Sequence, residues 1–131
     1  MNAEAWDNDP ILEPGAALDR LAAWKDRIDR LATDTRSMSV QLDRLRVTAT
    51  DDSGTVEVTV DAQGALVDLR LGRGIQQLEP ERVAEAIMTT IREAKGRIAG
   101  RAQAIVAETI GTESPAARAI AAQIGERLST P

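Results

Sequence analysis

Four cations grouped in the C-terminal half of the chain have the clearest capacity for chemistry. Arg92, Lys95, Arg97 and Arg101 lie within one short stretch in which Glu93 is the only acid. On a helix, residues three or four positions apart share a surface, so these cations form two neighbouring pairs, although one face does not hold all four. Lys and Arg side chains at such spacing bind phosphate groups without reading base sequence. The stretch is a candidate DNA-binding surface, and the alternative is an ordinary solvated helix face.

A second set of cations lies in the N-terminal third, where Lys25 and Arg36 are further candidates for DNA binding. Basic residues alternate there with aspartates, and such interleaving is typical of a solvated, ion-paired helix face. The net charge is −5, from 16 basic and 21 acidic residues. Residues 1–14 contain four acids and no basic residue, so the rest of the chain is close to neutral. The acidic balance is therefore only weak evidence against a local basic surface.

Histidine and cysteine are both absent from the sequence. Their absence excludes disulfides, imidazole and thiolate metal ligands, and catalysis by a cysteine nucleophile or a histidine base. Carboxylates such as Glu57, Asp61 and Asp68 remain for acid–base chemistry, but positions in turns and on a solvated strand face explain them better. The sequence predicts no enzyme, no metal and no cofactor.

A compact β pattern from Arg46 to Leu71 lies between two helical stretches. Residues 55–60 and 66–71 alternate with period two around the turn at residues 61–64, which predicts a hairpin with one apolar face. With a strand at residues 46–50, the pattern becomes a three-stranded antiparallel meander. Three strands bury little apolar surface alone, so the helices or a second copy must cover them. The candidate dimer interface consists of the apolar strand residues Val56, Val58, Val60, Val67, Leu69 and Leu71.

The first helix is predicted from Ala16 to Leu45, and its apolar residues follow a heptad pattern. That pattern indicates a narrow seam packed along another helix, with an ordinary amphipathic helix on its own sheet as the alternative. A long second helix opens at Pro80, and a short third one follows Ser114. The expected organisation is a flexible acidic leader at residues 1–15, an α-β-β-β-α domain at residues 16–110, and a helical extension at residues 114–129. No signal peptide and no membrane span are predicted.

The order of helix, three strands and helix carries a resemblance to a known family. The segments that carry it are Val56–Gly64, Leu66–Leu69 and Leu78–Glu81, the last opening a helix that contains Ala84, Ile87 and Ala94. In these segments the chain resembles the YbaB/EbfC family of small nucleoid-associated proteins, particularly its divergent actinobacterial members. The resemblance covers roughly residues 18–107 of the sequence.

The resemblance implies an α+β subunit that forms a homodimer through its sheet, with long helices that project like tweezers. It also implies binding of duplex DNA with low sequence preference, a location at the nucleoid in the cytoplasm, and no catalytic residues. Glu79 departs from the family pattern, in which a serine-like cap is common, and the acidic leader and the final helix are extensions. The alternative function is a dimeric protein–protein interaction module on the same scaffold.

Overall fold

The computed structural model describes residues 14–129. It contains three α-helices, three strands and one short 3-10 helix at Arg73–Gln77. The elements are α1 (Pro14–Arg44), β1 (Arg46–Thr50), β2 (Val56–Asp61), β3 (Leu66–Leu71), α2 (Pro80–Thr109) and α3 (Pro115–Ser129). The predicted α+β architecture is confirmed. The predicted leader lies outside the described residues, apart from residues 14 and 15, which begin α1.

The chain divides into two compact units between Arg36 and Ser37. In the first unit, the side chains of α1 at residues 14–36 are almost all exposed. In the second unit, Met38 is buried against Val106 of α2 and Ala117 of α3. None of the helices described for residues 14–129 is both long enough and apolar enough to cross a bilayer.

The sheet is an antiparallel meander in the order β1-β2-β3. Val58 pairs with Ala49 on one side and with Leu69 on the other, so these three residues lie on the same face. The pairing of β2 with β3 is irregular after Thr59, because Val60 pairs with Leu66 instead of Val67. This shift is a β-bulge, in which one extra residue of β3 interrupts the alternation.

The same chemistry closes both hairpins. Each turn begins with an aspartate whose carboxylate accepts backbone N–H groups, and each contains a glycine with positive φ. Asp51 Oδ1 accepts from the amides of Thr55 and Val56, at 2.7 and 2.8 Å, and Gly54 has φ +72°. In the second turn, Asp61 Oδ1 accepts from Gln63 and Ala65, at 2.9 Å each, and Gly64 has φ +82°. Only glycine adopts such angles without strain, so the sequence dictates where the chain reverses.

Helix α2 packs against β1 and β2 and supplies the cover that the sheet needs. Ala94, Ile98 and Ala102 form its buried stripe, and all three are fully buried among the apolar residues of β1 and β2. The two alanines allow the helix backbone to approach the sheet closely, which makes up for the lack of large aromatic side chains. Thr90 is the only buried polar residue described, and its hydroxyl donates to the carbonyl of Ala86 at 2.7 Å.

Helix α3 completes the core of the second unit. Its N-terminus is capped by Ser114, whose hydroxyl accepts a hydrogen bond from the amide of Ala117 at 3.0 Å. At the other end, Leu128 is buried in the main core and lies against the β2–β3 turn at Gly64. The predicted C-terminal helix is therefore an integral part of this core rather than a loose appendage.

Candidate nucleic-acid interface

The basic stretch predicted from the sequence lies in the middle of α2. Successive residues of an α-helix are rotated by about 100°, so Arg92 and Lys95 project from one side of α2, and Arg97 and Arg101 from the opposite side. The sheet-facing stripe of alanines and Ile98 separates the two pairs below. Above, toward solvent, the surface between the pairs carries Gly96 and Gly100, with Glu93 and Gln103 beside them. The four cations therefore form two flanks of one exposed helix surface.

The surroundings of these cations differ. Arg97 forms an ion pair with Glu93, one turn earlier on the helix. Arg92 donates through Nε to the carbonyl of Met88 at 3.3 Å, and no carboxylate among residues 14–129 forms an ion pair with it. Lys95 is half-buried, and its Cε lies 3.8 Å from the position that a Cβ on Gly64 would occupy. Arg101 is exposed. Arg92 and Arg101 are therefore the members most available to an anion.

The surface between the flanks is low. A Cβ added at Gly96 or Gly100 would meet nothing within 4 Å. Without side chains at these positions, the helix backbone is accessible, and the cations on both sides stand above it. A surface of this shape can approach a nucleic-acid backbone closely while Lys and Arg side chains reach phosphates on either side.

The two candidates on α1, Lys25 and Arg36, are exposed in the first unit. The charge pattern of α1 predicts an ion-paired face. Within residues 14–129, however, Arg97 pairs with Glu93 on α2 and Arg70 with Asp68 on β3, whereas no ion pair is found on α1. Arg30 instead donates to the backbone carbonyl of Asp26 at 3.4 Å. The charged face of α1 is solvated, so its cations are available to anions.

The candidate dimer residues fall into two groups. Val56, Val58 and Val60 are buried beneath α2, with at most 1% of their surface exposed, so the core of the same chain uses them. The β3 candidates Val67, Leu69 and Leu71 are instead 40–48% exposed. Of the candidate dimer residues, those of β3 are therefore the ones that offer apolar surface to a second copy.

Sequence reasoning missed Leu66, which is 44% exposed and belongs to this apolar surface. It pairs with Val60 because of the bulge, and strict alternation assigned it to the other face. A bulge of one residue leaves no clear signal in a strand of this length, since both Leu66 and Val67 are apolar.

The described residues offer little for catalysis. Among residues 14–129 there is no group of three or more acidic side chains arranged to hold a metal ion. A cleft of about 400 Å³ between the β1–β2 turn and α2 is lined by acids that include Asp51, Asp52 and Glu85. The carboxylate of Asp51 accepts hydrogen bonds within its own turn. The bond from the Val56 amide is the main cause that lowers the pKa of this carboxyl. Hydrogen bonds from Ser53 and Thr55 lower the pKa further, and burial raises it.

Exposed Lys and Arg side chains grouped on one helix are what contact with nucleic-acid phosphates requires. The chain belongs to the YbaB/EbfC DNA-binding family, whose family model matches residues 20–113. This is a family of DNA-binding, nucleoid-associated proteins and not a family of enzymes. The match ends at residue 113, just before α3 begins at Pro115.

A solved structure supports the fold independently. The crystal structure of the uncharacterized protein HP0035 from Helicobacter pylori is similar, with a TM-score of 0.55 at 15% sequence identity. The similarity covers 67% of this chain and 94% of that one. Among proteins with curated descriptions, none matches this sequence.

Proposed function

We propose that this protein is a homodimeric nucleoid-associated protein that binds duplex DNA through backbone contacts with low sequence specificity. Membership of the YbaB/EbfC DNA-binding family is the observation that carries the proposal. Its location would be the nucleoid, within the cytoplasm, because its ligand is there. No cofactor takes part, since phosphate binding requires only positioned cations.

The surface of α2 between Arg92 and Arg101 supports backbone contacts over base reading. Its cations lie on two flanks around a low glycine surface, an arrangement suited to phosphates on either side of a DNA groove. Direct base reading relies on side chains such as Asn, Gln or Arg that reach into a groove from the middle of the contact surface, and Gly96 and Gly100 have none. The lack of side chains at these two positions supports low sequence specificity.

The exposed apolar surface of β3 supports the homodimer. β3 is an edge strand, so its outer backbone groups lack a strand partner, and four of its side chains are exposed leucines or valine. Edge strands with exposed apolar residues readily pair with another chain. A second copy at β3 would cover this surface and would present the basic α2 surface twice.

The salt dependence of DNA binding tests the proposed function. Fluorescence anisotropy of a labelled duplex should show binding that weakens with salt, and two unrelated duplex sequences should bind within a few-fold of each other. The variants R92Q/K95Q and R97Q/R101Q each remove one flank. Each should reduce the magnitude of the slope of log K against log [salt] by about 0.9 for every phosphate contact that is lost, counted over both copies of the dimer.

A matched control removes the same charge elsewhere. The variant R118Q/R127Q changes two arginines of α3, which lies beyond the family match, and its salt slope should equal that of the native chain. Absence of duplex binding at low salt, or binding without salt dependence, would refute DNA binding. Equal losses in all three double variants would refute the assignment to α2 and point to net charge alone.

The oligomeric state needs its own measurement. Sedimentation velocity of the native chain should show a dimer, and L69D should shift it toward the monomer because a carboxylate would face the second copy. A native chain that stays monomeric at high concentration would contradict the homodimer.

A protein–protein interaction module remains the second candidate function, favoured by the same exposed leucines of β3. Recovery of one specific protein from a nuclease-treated lysate, together with no duplex binding by the pure protein, would favour it over the DNA-binding proposal.

A further inference from the structure

The N-terminal part of α1 carries an apolar stripe that nothing in the described chain covers. Its five large side chains are 45–65% exposed: Leu18, Leu21, Trp24, Ile28 and Leu31. They recur at spacings of three and four residues, so they lie along one side of the helix. Single exposed apolar residues are ordinary, but a contiguous stripe that contains a tryptophan marks an interaction surface.

The stripe is the N-terminal part of the heptad seam of α1, and the C-terminal part of that seam is already buried within the second unit. Further along the same seam, Met38 and Leu45 are buried, and Leu42 packs against both core clusters of the second unit. The seam is thus a packing surface along its length. Residues 18–31 are the part for which the described chain supplies no partner.

The charges beside the stripe indicate what covers it. With Leu21 and Ile28 at heptad position a, and Trp24 and Leu31 at position d, the flanking g positions hold Arg20, Arg27 and Asp34. Lys25 occupies the intervening e position. In a parallel pair of such helices, each g residue faces the following e residue of the other helix, so Arg20 would meet Lys25 and repel it.

An antiparallel pair reverses the sign of this interaction. Position g then faces g, and when Ile28 packs against Leu31 of a second copy, Arg27 faces Asp34 of that copy. The two-fold axis produces the same contact twice. Lys25 then faces the neutral Ala32. A shift of one heptad in one direction would oppose Asp34 with Asp34. A shift in the other direction would bring Arg20 opposite Asp34 but would also oppose Arg27 with Arg27 and Lys25 with Lys25, so charge favours the first register.

Both residues are free to make this contact. Arg27 and Asp34 are exposed, and neither has an ion pair within residues 14–129. We propose that residues 24–35 of α1 pair antiparallel with the same segment of a second copy, so that Trp24, Ile28 and Leu31 are covered and an Arg27–Asp34 contact forms on either side of the axis. This interface is separate from the proposed one at β3. A chain with two different two-fold interfaces joins dimers into larger assemblies.

Charge reversal in the full-length chain tests the pairing. All variants carry L69D, so that any contact through β3 is removed and failure of the proposed β3 dimer does not affect the readout. In sedimentation experiments at low salt, R27D and D34R should each weaken self-association by at least about tenfold, because each turns two attractive contacts into repulsive ones. The double variant R27D/D34R should recover the affinity of the parent.

Mixing the two single variants gives the sharpest result. A chain with R27D carries acids at both positions and a chain with D34R carries cations at both, so an equimolar mixture should associate although each variant alone does not. R30D and D26R are matched controls on the side of α1 away from the stripe, and they should associate like the parent. Circular dichroism should confirm that helix content is unchanged in all variants.

Two results would overturn the proposal. One is a parent protein that remains monomeric at high concentration, which would also be the outcome if residues 1–13 of the same chain covered the stripe. The other is a mixture that associates no better than its components, which would mean that Arg27 and Asp34 of different copies do not meet.

Discussion

β2 and β3 are adjacent strands of equal length with the same kind of apolar alternation, yet their environments are opposite. Val56, Val58 and Val60 of β2 are at most 1% exposed, whereas the apolar residues of β3 are 40–48% exposed. Leu69 and Leu71 pair directly with Val58 and Val56, so they share the face that α2 covers. The difference is that α2 packs on β1 and β2 and stops short of β3.

Alternation in a strand therefore determines that an apolar face exists, but not what covers it. The cover depends on which neighbouring strands a helix can span, and one helix about 10 Å wide covers roughly two strands spaced 4.8 Å apart. The third strand of this sheet needs a different partner. The α1 seam shows the same division, since Met38 is covered within its unit and Trp24 is exposed.

Placing a carboxylate on each strand tests this contrast most severely. Val58→Asp would bury an unpaired charge under α2 and should cost more than about 4 kcal/mol of unfolding free energy. Leu69→Asp, on the paired position of β3, should cost less than about 1 kcal/mol in the isolated chain. Urea unfolding followed by circular dichroism measures both.

Protein concentration sharpens the result. At low concentration Leu69→Asp should unfold like the native chain, and at high concentration it should lack any stabilisation that a second copy provides. If both substitutions destabilise the chain equally at low concentration, then β3 is buried by its own chain and the contrast fails.

Substitution of the turn glycines should have a smaller effect that differs between the two hairpins. α3 lies against the β2–β3 turn at Gly64 but not against the β1–β2 turn at Gly54. A Cβ at Gly64 would lie 2.8 Å from Cδ2 of Leu128, whereas a Cβ at Gly54 would meet nothing within 4 Å. Gly54→Ala should cost about 1–2 kcal/mol, the strain of positive φ alone. Gly64→Ala should cost about 1 kcal/mol more, since the buried Leu128 must also move.

A double-mutant cycle isolates that extra cost. Leu128→Ala removes the clashing methyl group, so Gly64→Ala should be less damaging in this background, while Gly54→Ala should be unaffected by it. Thermal unfolding of the four combinations at each glycine gives the coupling energies. Equal coupling at both glycines would show that α3 does not discriminate between the two turns.

The sequence predicts local structure in this protein well, because the signals are short-range. Asp and Gly mark both turns, period-two alternation marks the strands, and Pro80 marks the start of α2. The predicted start of α1 at Ala16 is late by two residues, since Pro14 is tolerated in the first turn of a helix.

What the sequence could not supply is the set of long-range contacts. It placed Val56, Val58 and Val60 in a dimer interface, because nothing local indicates that α2 reaches β2 but not β3. It also missed the exposure of Leu66, which depends on a bulge. For the basic surface, helical spacing gave the division into two pairs. The ion pair of Arg97 and the position of Lys95 near the β2–β3 turn emerged only from the structure.

The smallest expected effect concerns the turn of the covered hairpin. The carboxylate of Asp51 accepts the Thr55 and Val56 amides, and the Val56 hydrogen bond is the main reason that its pKa is lowered from the ordinary 3.8. A pKa that is lower in the folded state means that the charged form stabilises the fold. That contribution is complete above the unfolded value and disappears as the pH falls through the folded one.

Asp51→Asn should therefore reduce the unfolding free energy at neutral pH by about 1 kcal/mol, because hydrogen bonds to a charged acceptor become bonds to a neutral one. The difference from the native chain should shrink only as the pH falls below 3.8 and through the lowered pKa of the folded carboxyl, which then gains its proton. Asp52→Asn, one residue further on in the same turn, is the control and should have no effect at any pH, since no hydrogen bond to its carboxylate is found among the described residues. If the unfolding free energies of Asp51→Asn and the native chain differ by the same amount from neutral to acid pH, the charge of Asp51 does not stabilise the turn. The geometry of its hydrogen bonds would then be the cause of the difference.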